Sequence, residues 1–171
     1  MYGAAIKKIT HYLSLAQENA ENAQQAKALG LLIEYYRTGD LKTWDDYNIA
    51  WVADTGSTVD YINSFIEVYH DPLGYKGTYE TVVQVKDLDA SQKMAVISEN
   101  IQYFEDNSTI LPEHKKEKVV GVSYRMINVV GEAGATTPAT PIGVNLPNAN
   151  WIREAHGSKS ISLTNIESAY E

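Results

Sequence analysis

An alternation with period two over Tyr61–Tyr69 constrains this chain more than any other stretch. On a strand it places Ile62, Ser64, Ile66 and Val68 on one face and Tyr61, Asn63, Phe65, Glu67 and Tyr69 on the other. The first face is apolar enough to pack on a core. The second is too polar for a core and too aromatic for an ordinary solvated face. A carboxylate two residues from a phenol, in strand geometry, can receive a cationic amine and hydrogen-bond it; the plainer alternative is an exposed polar face. Asp71-Pro72-Leu73-Gly74 then stops the strand with turn residues.

The residues before this strand have a different period. Ile6, Ile9, Tyr12, Leu13 and Ala16 recur at steps of three and four, and so do Ala26, Leu29, Leu32, Ile33 and Tyr36. The polar break Glu18–Asn22 between them predicts two antiparallel helices turning near Asn19. Thr38-Gly39-Asp40 ends the second helix, and Asp40 caps a third that runs through Trp44 and Trp51 to about Val52. After the strand, Tyr79–Lys86 is β-branched and predicts a second one, which the intervening loop allows to pair antiparallel. A helix is expected over Ala90–Phe104, then a charged loop to Lys118, then a long strand over Val119–Val130. Residues 131–143 are rich in Gly, Ala, Thr and Pro and read as a loop. Pro141–Pro147 is a short extended segment whose prolines suit a sheet edge. Asn148 is expected to cap a short helix through Trp151-Ile152-Arg153, and Ser160–Leu163 is a last strand. Thr164 should cap a helix still running at Glu171, an ending that suggests a truncated chain. These expectations amount to one α+β domain over 1–171: a helical part at 1–54, and a β-rich part at 55–171 with a helical insertion at about 88–118.

Composition narrows the function classes. The net charge of −8 over 171 residues argues against nonspecific nucleic-acid binding. No apolar run approaches the roughly 20 residues of a membrane span, and the N-terminus lacks the plan of a signal peptide. A soluble protein is expected, the cytoplasm ahead of other compartments. With no cysteine there is no disulfide, thiolate metal site or redox thiol. Twelve tyrosines against two phenylalanines suit half-wet clefts.

Catalytic motifs are missing. His11, His70, His114 and His156 include no pair three to five residues apart, so no helical or finger-type zinc pair exists. No nucleophile elbow, phosphate loop or dinucleotide fingerprint occurs. Three features are left. Glu67 with Tyr69 suits an ammonium group. Asn145 and Asn148 flank Leu146-Pro147 and offer amides to a peptide backbone, against a plain role in turn and cap. The extended Pro141–Asn145 edge suits an added peptide strand, against a plain loop.

Taken together, Phe65–Gly74, Pro141–Asn148, Trp151-Ile152-Arg153 and His156–Ser160 resemble the dipeptidyl peptidase III family of zinc metallopeptidases, its bacterial branch through Thr38–Trp44 and Trp51. The resemblance implies a β-barrel-like, mostly antiparallel sheet that binds substrate as an added strand. It implies that Glu67 and Tyr69 hold the free N-terminal amine of a short peptide, and that Ile142, Gly143, Asn145 and Asn148 lie along its backbone, with Arg153 nearby. The family's zinc comes from a His-Glu-x-x-x-His helix and a further glutamate, neither of which occurs in this sequence. No metal ligand or cofactor is therefore expected in this chain, zinc being expected in a full-length parent. The chain reads as the substrate-binding part of such an enzyme, inactive alone, its partners being short peptides and the catalytic lobe, with self-association through the surface left bare. A stand-alone peptide-binding module and a carboxylate hydrolase using Glu67 are the competing readings.

Overall fold

The computed structural model describes residues 2–67, 72–75, 77–119, 122–137 and 140–170. In chain order the elements are α1 (Gly3–Glu18), α2 (Ala23–Thr38), α3 (Leu41–Ala53), β1 (Val59–Glu67), β2 (Thr78–Lys86), α4 (Leu88–Glu99) and α5 (Ile101–Asp106). After a 3₁₀ turn at Pro112–His114 come β3 (Val122–Gly134), β4 (Gly143–Leu146), α6 (Asn150–His156), β5 (Ser158–Leu163) and α7 (Thr164–Glu167). The α+β expectation holds. Two compact units form: Met1–Ser57 with Pro147–Ser158, and Thr58–Leu146 with Lys159–Glu171.

The first unit is helical. Asn22 caps α2 by accepting the Gln25 N–H at 2.9 Å, and its amide donates to the Ser57 hydroxyl at 2.9 Å. Ser57 in turn donates to Asp54 at 2.6 Å. Gly39, at φ 70°, takes the left-handed conformation that ends α2. Asp40 then caps α3, as expected, accepting the Thr43 N–H at 2.8 Å and its hydroxyl at 2.7 Å. Leu29, Leu32 and Ile33 of α2, Tyr47, Ala50 and Trp51 of α3, and Ile152 of α6 make the core. Each buried leucine or isoleucine among them contributes about 1.5–3 kcal/mol by leaving water. No residue of α1 is fully buried, so its predicted stripe is only half used.

The second unit is a five-stranded sheet in the order β1-β2-β3-β5-β4. The pairs β1–β2, β2–β3 and β4–β5 are antiparallel. β3 continues to Gly134, past its expected end at Val130, because β2 offers partners at every step: Glu80 to Val83 pair with Gly134 to Gly131. Gly134, at φ 82°, ends that pairing at a position where a Cβ would run into the Tyr79 carbonyl oxygen. The helix expected over Ala90–Phe104 is two helices. They divide at Asn100, whose amide bonds back to the Val96 carbonyl at 2.8 Å in competition with the helical backbone. The last helix is one turn, ending at Glu167 rather than running on to Glu171, which lies outside the described residues.

The sheet is not closed into the barrel that the family resemblance implies. It is open, with β1 and β4 as its edges. One face buries Asp60, Ile62 and Ser64 of β1, Glu80, Val82 and Gln84 of β2, Arg125 and Ile127 of β3, and Lys159, Ile161 and Leu163 of β5. A single Asp60 carboxylate oxygen accepts from Arg125 at 2.7 Å and from Lys159 at 2.7 Å. β1 and β5 are three ladder steps apart, about 14 Å in a flat sheet at the usual strand spacing of about 4.8 Å. Side chains standing perpendicular to a flat sheet do not meet across that gap. The contact therefore requires the sheet to curl strongly around its buried face.

Candidate functional site

β4 is the exposed edge of the curled sheet. Among the described residues its four residues pair only with β5, Gly143 opposite Ser162, Val144 opposite Ile161, Asn145 opposite Ser160 and Leu146 opposite Lys159. The Leu163 N–H to Ile142 carbonyl bond at 2.9 Å extends that pairing by one residue. Cross-strand partners share a face, so Val144 and Leu146 lie on the side of buried Ile161 and Lys159, while Gly143 and Asn145 are exposed. A Cβ at Gly143 would lie 3.0 Å from the Ile161 carbonyl oxygen, so glycine lets β4 sit close to β5. The second edge of β4 faces no strand among the described residues. A short edge strand bracketed by Pro141 and Pro147 discourages extended pairing yet leaves backbone groups for one short added segment.

The other predicted residues are distributed as follows. Glu67 is the last residue of β1, and its backbone lies opposite Thr78. The register shifts between Phe65 and Glu67, so the strict alternation expected over Tyr61–Tyr69 is interrupted there. Gly77 sits against this irregularity, where a Cβ would lie 2.7 Å from the Phe65 carbonyl oxygen. Tyr69 and the Glu67 side chain lie outside the described residues, and so does the expected approach of the two. On the β1–β2 surface Asn63 donates to the Tyr79 hydroxyl and to Thr81, both at 3.0 Å, and Phe65 meets the Tyr79 ring edge-on. That aromatic and polar face is thus partly consumed by its own cross-strand bonds.

Ile142 is exposed, as are Asn145 and Asn148. The capping expected of Asn148 is not made: Ala149 holds the N-cap position of α6 with no side-chain bond. The helix starts one residue later than expected, and Asn148 stands outside it. Arg153 is half-buried in the last turn of α6, where a cation complements the helix dipole. Glu67, Ile142, Gly143 and Asn145 belong to the sheet unit, and Asn148 and Arg153 to the helical unit. The buried Asp60–Arg125–Lys159 cluster was not singled out from the sequence.

Among the described residues no group of three or more His, Asp or Glu side chains is placed to hold a metal ion. Those residues do not fit a zinc site. No described helix is long and apolar enough to cross a membrane.

The model of peptidase family M49 matches residues 1–171. Curated relatives include dipeptidyl peptidase 3 of Nematostella vectensis, 28% identical over 99% of this chain and 23% of that protein. Dipeptidyl peptidase 3 of Homo sapiens is 28% identical over 96% of this chain and 22% of that protein. The chain thus spans less than a quarter of the length of these relatives. Among solved structures, DPP III from Caldithrix abyssi superposes with a TM-score of 0.84 at 28% identity, over 98% of this chain and 32% of that one.

Proposed function

This chain belongs to peptidase family M49, and from that premise we propose that it is the peptide-binding part of a zinc-dependent dipeptidyl peptidase that removes dipeptides from the N-termini of short peptides. The observation that carries the reading is β4, a short strand at a sheet edge whose second side faces no strand among the described residues. An extended peptide laid along Ile142–Asn145 gains main-chain hydrogen bonds without regard to its sequence. The Asn145 and Asn148 amides, both exposed, add donors and acceptors for its backbone. The Glu67 carboxylate and the Tyr69 hydroxyl receive the free ammonium group, and that contact sets where the peptide begins. Water attack on the second peptide bond belongs to the zinc-bearing lobe of the full-length enzyme, so this chain alone releases no dipeptide.

The test is calorimetric titration with a short peptide, first with a free amine and then N-acetylated, repeated on Glu67→Gln. A hydrogen bond to a charged group contributes about 1.5–3 kcal/mol, so acetylation should weaken binding about 10- to 100-fold. Glu67→Gln should remove most of the difference between the two peptides. Equal binding of both forms to the unmodified chain would show that no amine is read and would favour a general peptide-binding module. Dipeptide release by the isolated chain in added zinc would refute its inactivity.

A further inference from the structure

We infer that Asp60 and Lys159 form a positioning clamp that sets the separation between the two edges of the sheet, and with it where a strand added to β4 comes to lie relative to β1. The inference rests on the reading of β4 as the peptide-binding edge, because that separation matters only if something binds there. Its geometric basis does not depend on that reading.

Asp60, Arg125 and Lys159 are all at least nine-tenths buried, at 3%, 3% and 0% exposure. Asp60 is on β1, one edge of the sheet. Lys159 is on β5, directly opposite Leu146 of β4, the other edge. The 2.7 Å bond between them skips both β2 and β3. No backbone ladder can do this, since ladder bonds join neighbouring strands only. The Asp60–Arg125 bond at 2.7 Å skips β2 alone and supports the same curl at its midpoint. Gln84 lies on β2 opposite Asp60, on the same buried face.

An ion pair is suited to this task because it is stiff. Two buried charges held at hydrogen-bond distance resist separation far more strongly than two apolar side chains, which slide past one another at little cost. A sheet joined by ladder bonds alone is free to flatten or curl within the range of twist that its strands allow. The Asp60–Lys159 bond removes that freedom at the end of β4 adjoining Asn148. A strand added to β4 lies on the side facing away from β5. Flattening the sheet would move that strand away from the end of β1, where Glu67 stands, and would break the register between amine and backbone.

The chain contains no cysteine, so two cysteines at exposed Val59 and Asn145 carry spin labels without background. Pulsed electron double resonance then reads the distance between β1 and β4. The unmodified chain should give one narrow distribution. Lys159→Met keeps most of the side-chain length, removes the charge and does not touch the Asp60–Arg125 bond. It should lengthen the mean distance by about one strand spacing, ~5 Å, and broaden the distribution. Arg125→Met, which leaves the Asp60–Lys159 bond in place, should lengthen it less. A bridge that adds stability without setting the curl would lower the melting temperature of Lys159→Met and leave the distance unchanged, and that outcome overturns the proposal. If Lys159→Met does not fold, the isosteric Asp60→Asn is measured with the same labels against the same criterion. Titration of the label-free chains with tetra-alanine separates the two readings. A longer distance with weaker binding supports both. A longer distance with no binding even to the unmodified chain keeps the clamp and removes the peptide-binding reading.

Discussion

Asp60, Arg125 and Lys159 each stand two residues before an isoleucine, Ile62, Ile127 and Ile161, on three different strands. In each strand the alternation assigns the charge to the apolar face. One charge so placed is easily dismissed; three in three strands, one acidic and two basic, predict a buried ionic cluster. Removing a partner from such a cluster leaves uncompensated charge out of water, at a cost of about 3–5 kcal/mol. Asp60→Ala, which takes a carboxylate from two buried cations, should lower the unfolding free energy by about that amount in urea titration. Gly134 is constrained by its backbone instead. At φ 82°, with the Tyr79 carbonyl where a Cβ would go, Gly134→Ala should cost about 2 kcal/mol or more. The reverse lesson comes from Asn148, where the residue type suggested a cap and the helix began one residue too late to use it.

Elements whose ends are set by local chemistry were legible. The break between α1 and α2, the left-handed Gly39 and the Asp40 cap fall where the residues predict them, because each depends on neighbours within four positions. Asn22→Ala should cost about 1 kcal/mol for the lost cap, and more if the Ser57 bond is not replaced by water. The Asp40 carboxyl is held below its ordinary value first by the Thr43 hydroxyl and then by the Thr43 N–H. With the folded value depressed, its contribution is full above the ordinary carboxylate range and is lost as pH falls through the folded value. The protection of the Thr43 amide, measured relative to its intrinsic exchange rate, should therefore persist through neutral and mildly acidic pH and be lost only below the ordinary carboxylate range. Elements whose ends are set by a distant strand were not legible. β3 runs through a stretch that reads as a loop because β2 holds it there, four residues beyond Val130. The expected single helix divides at Asn100 because one amide bonds back to its own helix.

For the whole molecule, the exposed apolar residues of the sheet unit carry the remaining prediction. Leu88 and Val96 on α4, Tyr103 and Phe104 on α5, and Ile110 and Leu111 beyond them all remain in water. A surface of that kind tends to find a cover. Sedimentation velocity should show larger species growing with concentration, and a single monomer boundary across a hundredfold range would contradict this. The sequence by itself determined the class of the fold, helices followed by strands, because hydrophobic period is a local property that a few residues suffice to set. It also determined the family, because its matching motifs are long. Only the tertiary structure decided which strand β4 pairs with, that α6 packs against α3 in the helical unit, and that the sheet curls without closing. Strand order and curl depend on pairings and ion contacts between residues up to 99 positions apart, such as Asp60 and Lys159, and no local pattern encodes which distant partner a strand or a charge will find.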